Sequence, residues 1–236
     1  MNNITSFENI NDFINFLKNS VNEQYKNILI SVQLKNIILS VLNNDKSIID
    51  KMLLLEQYSK ETARHSCGVA LISAALVHKK TINQINIEEL IKAAMLHDIG
   101  KIHIPKNILH NTTKELSPEN RKEINKHSVL GKFRILKDNP QDKIASLVAE
   151  EHHEWFNGAM GLHSSEINQY ARIVTVADVF DALTMKRSYK EAFSIKKSLD
   201  IINSENWTHF DPKIVKLLNN ITKEFCYENN KKNFLQ

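Results

Sequence analysis

The sequence predicts an all-α protein, and three observations lead to that prediction. The 236 residues are 42% hydrophobic and 25% charged, which is enough apolar material for a globular core. Only 5 glycines and 4 prolines occur, too few turn-forming residues for a many-stranded sandwich or barrel. Apolar residues also recur at helical spacing along much of the chain. The same features exclude a disordered chain, a collagen and a small disulfide-bonded scaffold.

Residues 1–56 predict two or three amphipathic helices. The stretch from Thr5 to Glu8 has the form of a capping box, and apolar residues then recur at helical spacing. Residues 28–42 and 48–55 continue this pattern. Because the region contains no histidine, glycine or proline, we expect a helical cap, an element for homodimerisation or a ligand sensor.

The remaining chain contains all ten histidines and all five glycines, so we expect its chemistry to lie in a domain over 57–228, followed by a polar tail at 229–236. Three prolines follow a capping residue, at Ser117-Pro118, Asn139-Pro140 and Asp211-Pro212, which is the signature of a helix start. The spacing predicts helices over 59–78, 87–98, 118–137, 141–154, 166–186, 195–204 and 212–226. The joins at 99–117 and 155–165 are predicted loops, and long loops of this kind are often functional.

Composition also limits the location and the partners of the protein. No apolar run is long enough to cross a bilayer and the first residues form no basic leader, so we expect a cytoplasmic protein without a membrane partner. Cys67 and Cys226 lie far apart, which argues against a disulfide framework and a thiolate zinc site. The net charge of +4 comes with scattered lysines, which favours a small anionic substrate over extended nucleic acid.

Histidine and carboxylate residues form five features that could bind metal. They are Glu61 with His65, the pair His97-Asp98, the isolated His127, the pair His152-His153, and Asp178. Asp178 is the most informative, because its apolar neighbours predict a buried helix and a buried carboxylate needs a cation beside it. An ion pair with Arg172 or Lys186 would supply that cation, and a metal ion is the alternative.

Two or three metal ions would account for all five features together. Adjacent residues on a helix diverge by about 100°, so the histidine pairs can share a site only where several helices converge. Imidazole and carboxylate ligands favour iron, manganese, nickel or zinc over a structural zinc finger, and eight ligands exceed what one ion can hold. Two such ions can hold a bridging hydroxide and clamp the oxygens of a phosphodiester. Lys101 could neutralise phosphate, or it could simply follow a C-cap glycine at position 100.

From about Ser59 to Asn220 the chain resembles the HD-GYP subgroup of HD-domain metal-dependent phosphohydrolases. The matching pieces, in order, are ETARHS at 61–66, HDIGKIHIP at 97–105, LSPEN with HSVLG at 116–131, HHE at 152–154, ARIVTVADVFDALTMKRSYK at 171–190 and FDPKIV at 210–215. The resemblance implies a helical-bundle HD domain with an N-terminal helical extension. It also implies two or three divalent ions, iron or otherwise manganese, and hydrolysis of cyclic di-GMP to pGpG or GMP.

The resemblance also assigns roles to individual residues. The implied metal ligands are Glu61, His65, His97, Asp98, His127, His152, His153 and Asp178. Among them Asp98 would bridge two ions, and Glu61 matches an additional ligand of members with three. Asp98 and Lys101 would be catalytic, while Lys101, Arg187 and Lys190 would contact phosphate and substrate. Asp181 is expected to orient a ligand or to contact substrate.

The chain departs from the family where HHE should continue as DGxGYP. It reads HHEWFNGAMGLHSSEI instead, without Gly-Tyr-Pro and with Asn157 in place of aspartate. In the family this loop lines the substrate pocket, so substrate identity stays open. Alternatives are a receptor that binds a cyclic dinucleotide without turnover, a phosphohydrolase of another nucleotide, and a diiron oxygenase. Ser188 and Lys190 also replace a proline and an arginine that are usual there.

Overall fold

The computed structural model describes residues 15–16, 32–78, 82, 84–110, 117–186 and 191–233. Within these ranges the chain is helical and contains no β-sheet, which confirms the all-α prediction. The described helices are α1 (Val32–Asn44), α2 (Ser47–Tyr58), α3 (Lys60–Val77), α4 (Ile87–Leu96), α5 (Lys106–Leu109), α6 (Pro118–Asn125), α7 (His127–Asp138), α8 (Lys143–Glu151), α9 (Gln169–Thr184), α10 (Ile195–Ser204) and α11 (Pro212–Asn233), with a 3₁₀ helix at Ile99–His103. The capping box at Thr5 to Glu8 lies outside the described residues.

Two of the three predicted proline starts are confirmed. Helix α6 begins at Pro118, where the Ser117 side chain accepts a hydrogen bond from a backbone N–H of the first turn. Helix α11 begins at Pro212, and the Asp211 carboxylate accepts from the N–H two residues later. The start at Asn139-Pro140 is wrong, because α8 begins at Lys143 with Asp142 at its N-cap. The Asn139 side chain accepts from the N–H of Gln141 in the turn before that helix.

The predicted helix over 118–137 is two helices, since α6 ends at Asn125 and α7 begins at His127. The join at 99–117 contains the 3₁₀ helix and α5 within the part that the structure describes. The join at 155–165 is a loop, as predicted.

The core forms where α3, α4, α8 and α9 pack together. Helix α3 is its centre, because nearly every residue from Thr62 to Val77 is buried. Helices α1 and α2 pack onto the same core, α1 against α4 and α2 against α3, α4 and the 3₁₀ helix. A domain boundary at residue 56 stays a prediction. Among the described residues, no helix has the length and apolarity to span a bilayer.

Candidate metal centre

Two groups of candidate ligands lie at the ends of four helices. His65 of α3 lies with His97 and Asp98, which follow α4, and their ligand atoms are within 4.8 Å of one another. The second group, with the same limit of 4.8 Å, contains His127 at the start of α7 and the pair His152-His153 at the end of α8. The convergence that adjacent ligand pairs require is therefore present in the helical bundle.

Asp98 lies between the two groups and presents one carboxylate oxygen to each. Its Oδ1 is 3.3 Å from His127 Nε2 and 4.0 Å from His152 Nε2. Its Oδ2 is 3.5 Å from His97 Nε2. Oδ1 is buried and accepts no hydrogen bond within the described part of the chain. Such a burial is costly unless a cation is present, so the carboxylate fits a position bridging two metal ions.

Three of the histidines are held in the tautomer that binds metal through Nε2. His97, His127 and His152 each direct Nδ1 at the backbone carbonyl three residues earlier, at 2.7, 2.6 and 3.0 Å. A carbonyl oxygen only accepts hydrogen bonds, so Nδ1 must carry the proton. The lone pair is then on Nε2, which faces the other ligands, and this is the usual way in which proteins orient metal-binding histidines.

The Nε2 atoms of His127, His152 and His153 lie close enough together to share one metal ion. His127 Nε2 is 3.2 Å from His152 Nε2 and 3.2 Å from His153 Nε2. Burial lowers the pKa of His127 to about 4 and also lowers those of His152 and His153, so these rings are neutral at pH 7. His127 and His152 both carry the proton on Nδ1, so in this pair two lone pairs face each other. A divalent ion bound by these nitrogens would remove that repulsion.

His65 lies between two carboxylates. Its Nε2 is 2.7 Å from Asp178 Oδ1 and its Nδ1 is 2.7 Å from Asp181 Oδ2. Burial opposes protonation of the ring, but the two carboxylates raise its pKa to about 9. Burial likewise opposes ionisation of Asp178, whose pKa His65 nevertheless lowers. Asp181 therefore orients His65 from the side that faces away from Asp178.

The ion pairs that the sequence left open for Asp178 are made elsewhere. Arg172 pairs with Asp211 at 3.0 Å, and Lys186 pairs with Glu191 at 2.7 Å. The group beside Asp178 is His65, and Asp178 belongs to neither group of candidate ligands. Its place among the metal ligands stays a prediction.

Two glycines missed by the sequence reasoning make room for the site. A Cβ at Gly68 would lie 2.2 Å from Asp181 Oδ1, so only glycine leaves space for that carboxylate. A Cβ at Gly100 would lie 2.0 Å from the backbone oxygen of His127. Gly100 lies inside the 3₁₀ helix and is needed for this close approach, so its interpretation as a helix C-cap is wrong. No periodicity in the sequence marks either position, because both contacts are between distant segments.

The predicted phosphate contacts are only partly within the described residues. Lys101 Nζ is 2.5 Å from Asp98 Oδ2, and this cation holds the pKa of Asp98 well below its usual range against the effect of burial. Arg187 and Lys190 lie outside the described residues. Glu61 is exposed, lies outside both ligand groups and lines a cavity of about 330 Å³ that His65 and Asp181 also line.

Comparison with known proteins relates the chain to one family. The family described as HD domain matches residues 49–214. A 3'3'-cGAMP-specific phosphodiesterase 2 of Vibrio cholerae is 31% identical over 198 residues, which are 81% of this chain and 38% of that protein. A cyclic di-GMP phosphodiesterase of Thermotoga maritima is 29% identical over 242 residues, covering 89% of this chain and 65% of that protein. The chain thus spans between about a third and two thirds of the length of these relatives.

Two solved structures share the fold. One is Bd1817, described as a HDG"Y"P protein from Bdellovibrio bacteriovorus, with a TM-score of 0.59 and 20% identity over 93% of this chain and 74% of that chain. The other is the HD domain of the phosphodiesterase PgpH of L. monocytogenes, with a TM-score of 0.54 and 18% identity over 77% of this chain and 98% of that chain.

Proposed function

The chain belongs to the HD domain family, and from this premise we propose that it is a metal-dependent phosphodiesterase that hydrolyses a cyclic dinucleotide, cyclic di-GMP being the first candidate, to pGpG or GMP. The observation that carries the proposal is the close approach of neutral imidazole nitrogens, 3.2 Å apart, beside a buried Asp98 oxygen that accepts no hydrogen bond from the described residues. Named activities of the relatives, on cyclic di-GMP and on 3'3'-cGAMP, supply the substrate class.

We propose that the two groups of candidate ligands, with Asp98 between them, would hold two divalent ions. The residues that would hold them are His65, His97, Asp98, His127, His152, His153 and Asp178. Divalent ions in such a site polarise phosphoryl oxygens and make water nucleophilic near neutral pH. Asp181 would keep His65 in position, because its carboxylate occupies the second ring nitrogen.

Lys101 would neutralise charge on the phosphate. Its Nζ is 2.5 Å from Oδ2 of the buried Asp98, and the lysine side chain itself is 19% exposed, so it can reach substrate. Replacing it with methionine keeps most of the side-chain volume and removes the charge. We expect kcat/KM to fall by about 10²- to 10³-fold with metal content unchanged. Arg187 and Lys190 remain proposed substrate contacts.

The identity and number of the ions are part of the proposal. Imidazole and carboxylate donors without thiolate are compatible with iron and manganese. We propose iron, with manganese as the alternative, because the family resemblance implies these metals. A third ion would use Glu61, one helical turn before His65, and Glu61→Gln should then lower the metal content from three ions to two. Homodimerisation through residues 1–56 and a cytoplasmic location stay predictions.

The proposal is tested by product analysis. Protein loaded anaerobically with Fe²⁺ or Mn²⁺ is incubated with cyclic di-GMP, 3'3'-cGAMP or cyclic di-AMP, and the products are separated by chromatography. We expect a linear dinucleotide or mononucleotides from at least one substrate. Asp98→Asn, which has the same shape but cannot carry the bridging charge, is the control and should be inactive.

The phosphodiesterase proposal is wrong if protein with stoichiometric metal yields no product from any of the three substrates. Tight binding of cyclic di-GMP without turnover would then identify a receptor, and metal-dependent oxygen consumption would identify redox chemistry instead.

A further inference from the structure

An exposed aromatic surface lies beside the point where the candidate metal centre opens to solvent. His153 is the exposed member of its ligand group, whereas His127 and His152 are buried, so this group reaches solvent at the end of α8. Trp155 follows His153 by two residues, which limits the separation of their Cα atoms to about 7 Å. The aromatic surface consists of Trp155, Phe156, Trp207 and His209.

Backbone hydrogen bonds join the two loops that form the aromatic surface. The N–H of Phe156 donates to the carbonyl of His209 at 3.1 Å, and the N–H of Asn157 donates to the carbonyl of Thr208 at 2.9 Å. The Trp155 ring stacks on His209 with a centroid distance of 4.9 Å, and Phe156 meets Trp207 edge to face at 6.2 Å. The surface is therefore held at the end of α8 by both main-chain and ring contacts.

Trp207 has an unusual backbone for an exposed aromatic residue. Its φ is +69°, a conformation that is strained for a bulky side chain and free of strain for glycine. Its ring is 66% exposed, so burial in the core does not compensate for this strain. Strained residues of this kind concentrate at functional sites, where the side chain has a use outside the fold.

We propose that Trp155 and Trp207 form a stacking surface for a purine base of the substrate. This inference rests on the proposed function, because it assumes that a cyclic dinucleotide places one phosphodiester at the metal centre. The base attached to that phosphate through its ribose must then lie near the opening. Exposed indole rings stack on any base through its π-face, so the surface supplies affinity with little discrimination between purines.

The aromatic surface lies in the segment in which the chain departs from DGxGYP. Trp155, Phe156 and Asn157 begin this segment, and they are the residues that contact the loop carrying Trp207. Base contact would thus come from two indole rings on adjoining loops.

Intrinsic fluorescence gives a direct test, because the two tryptophans of the chain are both in the aromatic surface. Mn²⁺-loaded protein is mixed with cyclic di-GMP in a stopped-flow instrument, and we expect quenching before product accumulates. Inorganic phosphate, which has no base, should leave the fluorescence unchanged. Trp155→Phe and Trp207→Phe then assign the quenching to one ring or to both.

Steady-state kinetics provide the second readout. Trp155→Ala and Trp207→Gly should each raise KM for cyclic di-GMP by about 5- to 100-fold, the usual range for loss of one stacked base, with kcat within about twofold. Trp207→Gly should fold well, because glycine adopts a positive φ without strain. Phe133→Ala is the matched control, since that ring is 63% exposed on α7 and should not affect KM.

The outcomes separate this inference from the proposed function. Hydrolysis of cyclic di-GMP with no quenching and with unchanged KM in both variants would overturn the stacking surface and leave the phosphodiesterase intact. Quenching by cyclic di-GMP without hydrolysis would support the stacking surface and overturn the proposed activity. Neither quenching nor hydrolysis would overturn both.

Discussion

Replacing Gly68 with alanine should weaken metal binding while leaving the fold intact. The new Cβ would lie 2.2 Å from Asp181 Oδ1 and 2.9 Å from its Cγ. Ordinary contact begins at 3.4 Å, so the carboxylate must retreat by about 1 Å. A shift of that size breaks the 2.7 Å hydrogen bond between Asp181 and His65 Nδ1. His65 then loses the group that orients its ring.

Gly68→Ala changes two free energies, that of metal binding and that of folding. Loss of the partner that orients a ligating histidine costs about 10- to 100-fold in metal affinity, or about 1.4 to 2.7 kcal/mol. Alanine instead of glycine in the interior of α3 stabilises the helix by about 0.5 to 1 kcal/mol. Metal affinity should therefore fall. The melting temperature of the metal-free protein should fall as well, because disturbing the buried pair of His65 and Asp181 costs more than the helix gains.

Calorimetric titration of metal-free protein with Mn²⁺ measures this effect. We expect the Kd of at least one ion to rise by about 10- to 100-fold in Gly68→Ala. Gly131→Ala is the control, because it is also a glycine-to-alanine change within a helix but its Cβ would lie 3.3 Å from the nearest atom, Ala149 Cβ, which is only slightly tighter than ordinary contact. Asp181→Asn keeps the volume, removes the charge and should weaken binding like Gly68→Ala.

An unchanged Kd for Mn²⁺ in both Gly68→Ala and Asp181→Asn would refute the reasoning, since Asp181 would then not orient a metal ligand. Weaker binding in Asp181→Asn alone would show that the carboxylate finds a second position when alanine is present. Equal weakening in Gly131→Ala would mean that any glycine change in the bundle disturbs the site.

Three further predictions concern stability. Gly100→Ala should lower the free energy of unfolding, measured by urea denaturation, by about 1 to 3 kcal/mol, because its Cβ would meet the backbone of His127, which cannot rotate away. An unchanged midpoint of urea denaturation would contradict this. Chelation by EDTA should lower the melting temperature, since free metal at 100 times Kd contributes about 2.7 kcal/mol; identical melting with and without EDTA would speak against a bound ion. Lys92→Met should destabilise the protein at pH 7 through loss of its ion pairs with Asp45 and Asp142. Burial opposes ionisation of Asp45 but Lys92 lowers its pKa below 3.8, so the difference between variant and wild type should persist above about pH 4 and shrink as the pH falls further.

The fold was predictable wherever local signals acted alone. Ser117-Pro118 and Asp211-Pro212 start helices because a capping oxygen and a fixed proline φ act within one turn. The same signal failed at Asn139, whose side chain can close a turn as readily as it can cap a helix. Whether Asn139 caps a helix or closes a turn depends on where α7 ends.

The candidate site was predictable in its residue types and not in its geometry. Ligand chemistry and burial of charge pointed to His97, Asp98 and Asp178 as members of one centre. The role of Gly68 depends on Asp181, which lies more than a hundred residues later, and a single sequence has no local pattern for such a contact. The ring orientations likewise depend on backbone carbonyls that only the folded helices supply.

The three histidines that these carbonyls orient share one arrangement, in which each follows the end of a helix. His97 and His152 follow the last residues of α4 and α8 directly, and His127 comes two residues after the end of α6. Each Nδ1 points at a carbonyl in the last turn of the preceding helix, where carbonyl oxygens lack helical partners. One hydrogen bond thus satisfies a helix end and fixes a tautomer. Because the C-terminal end of a helix carries partial negative charge, the ends of α4 and α8 also favour a cation at this position before any ligand bond is counted.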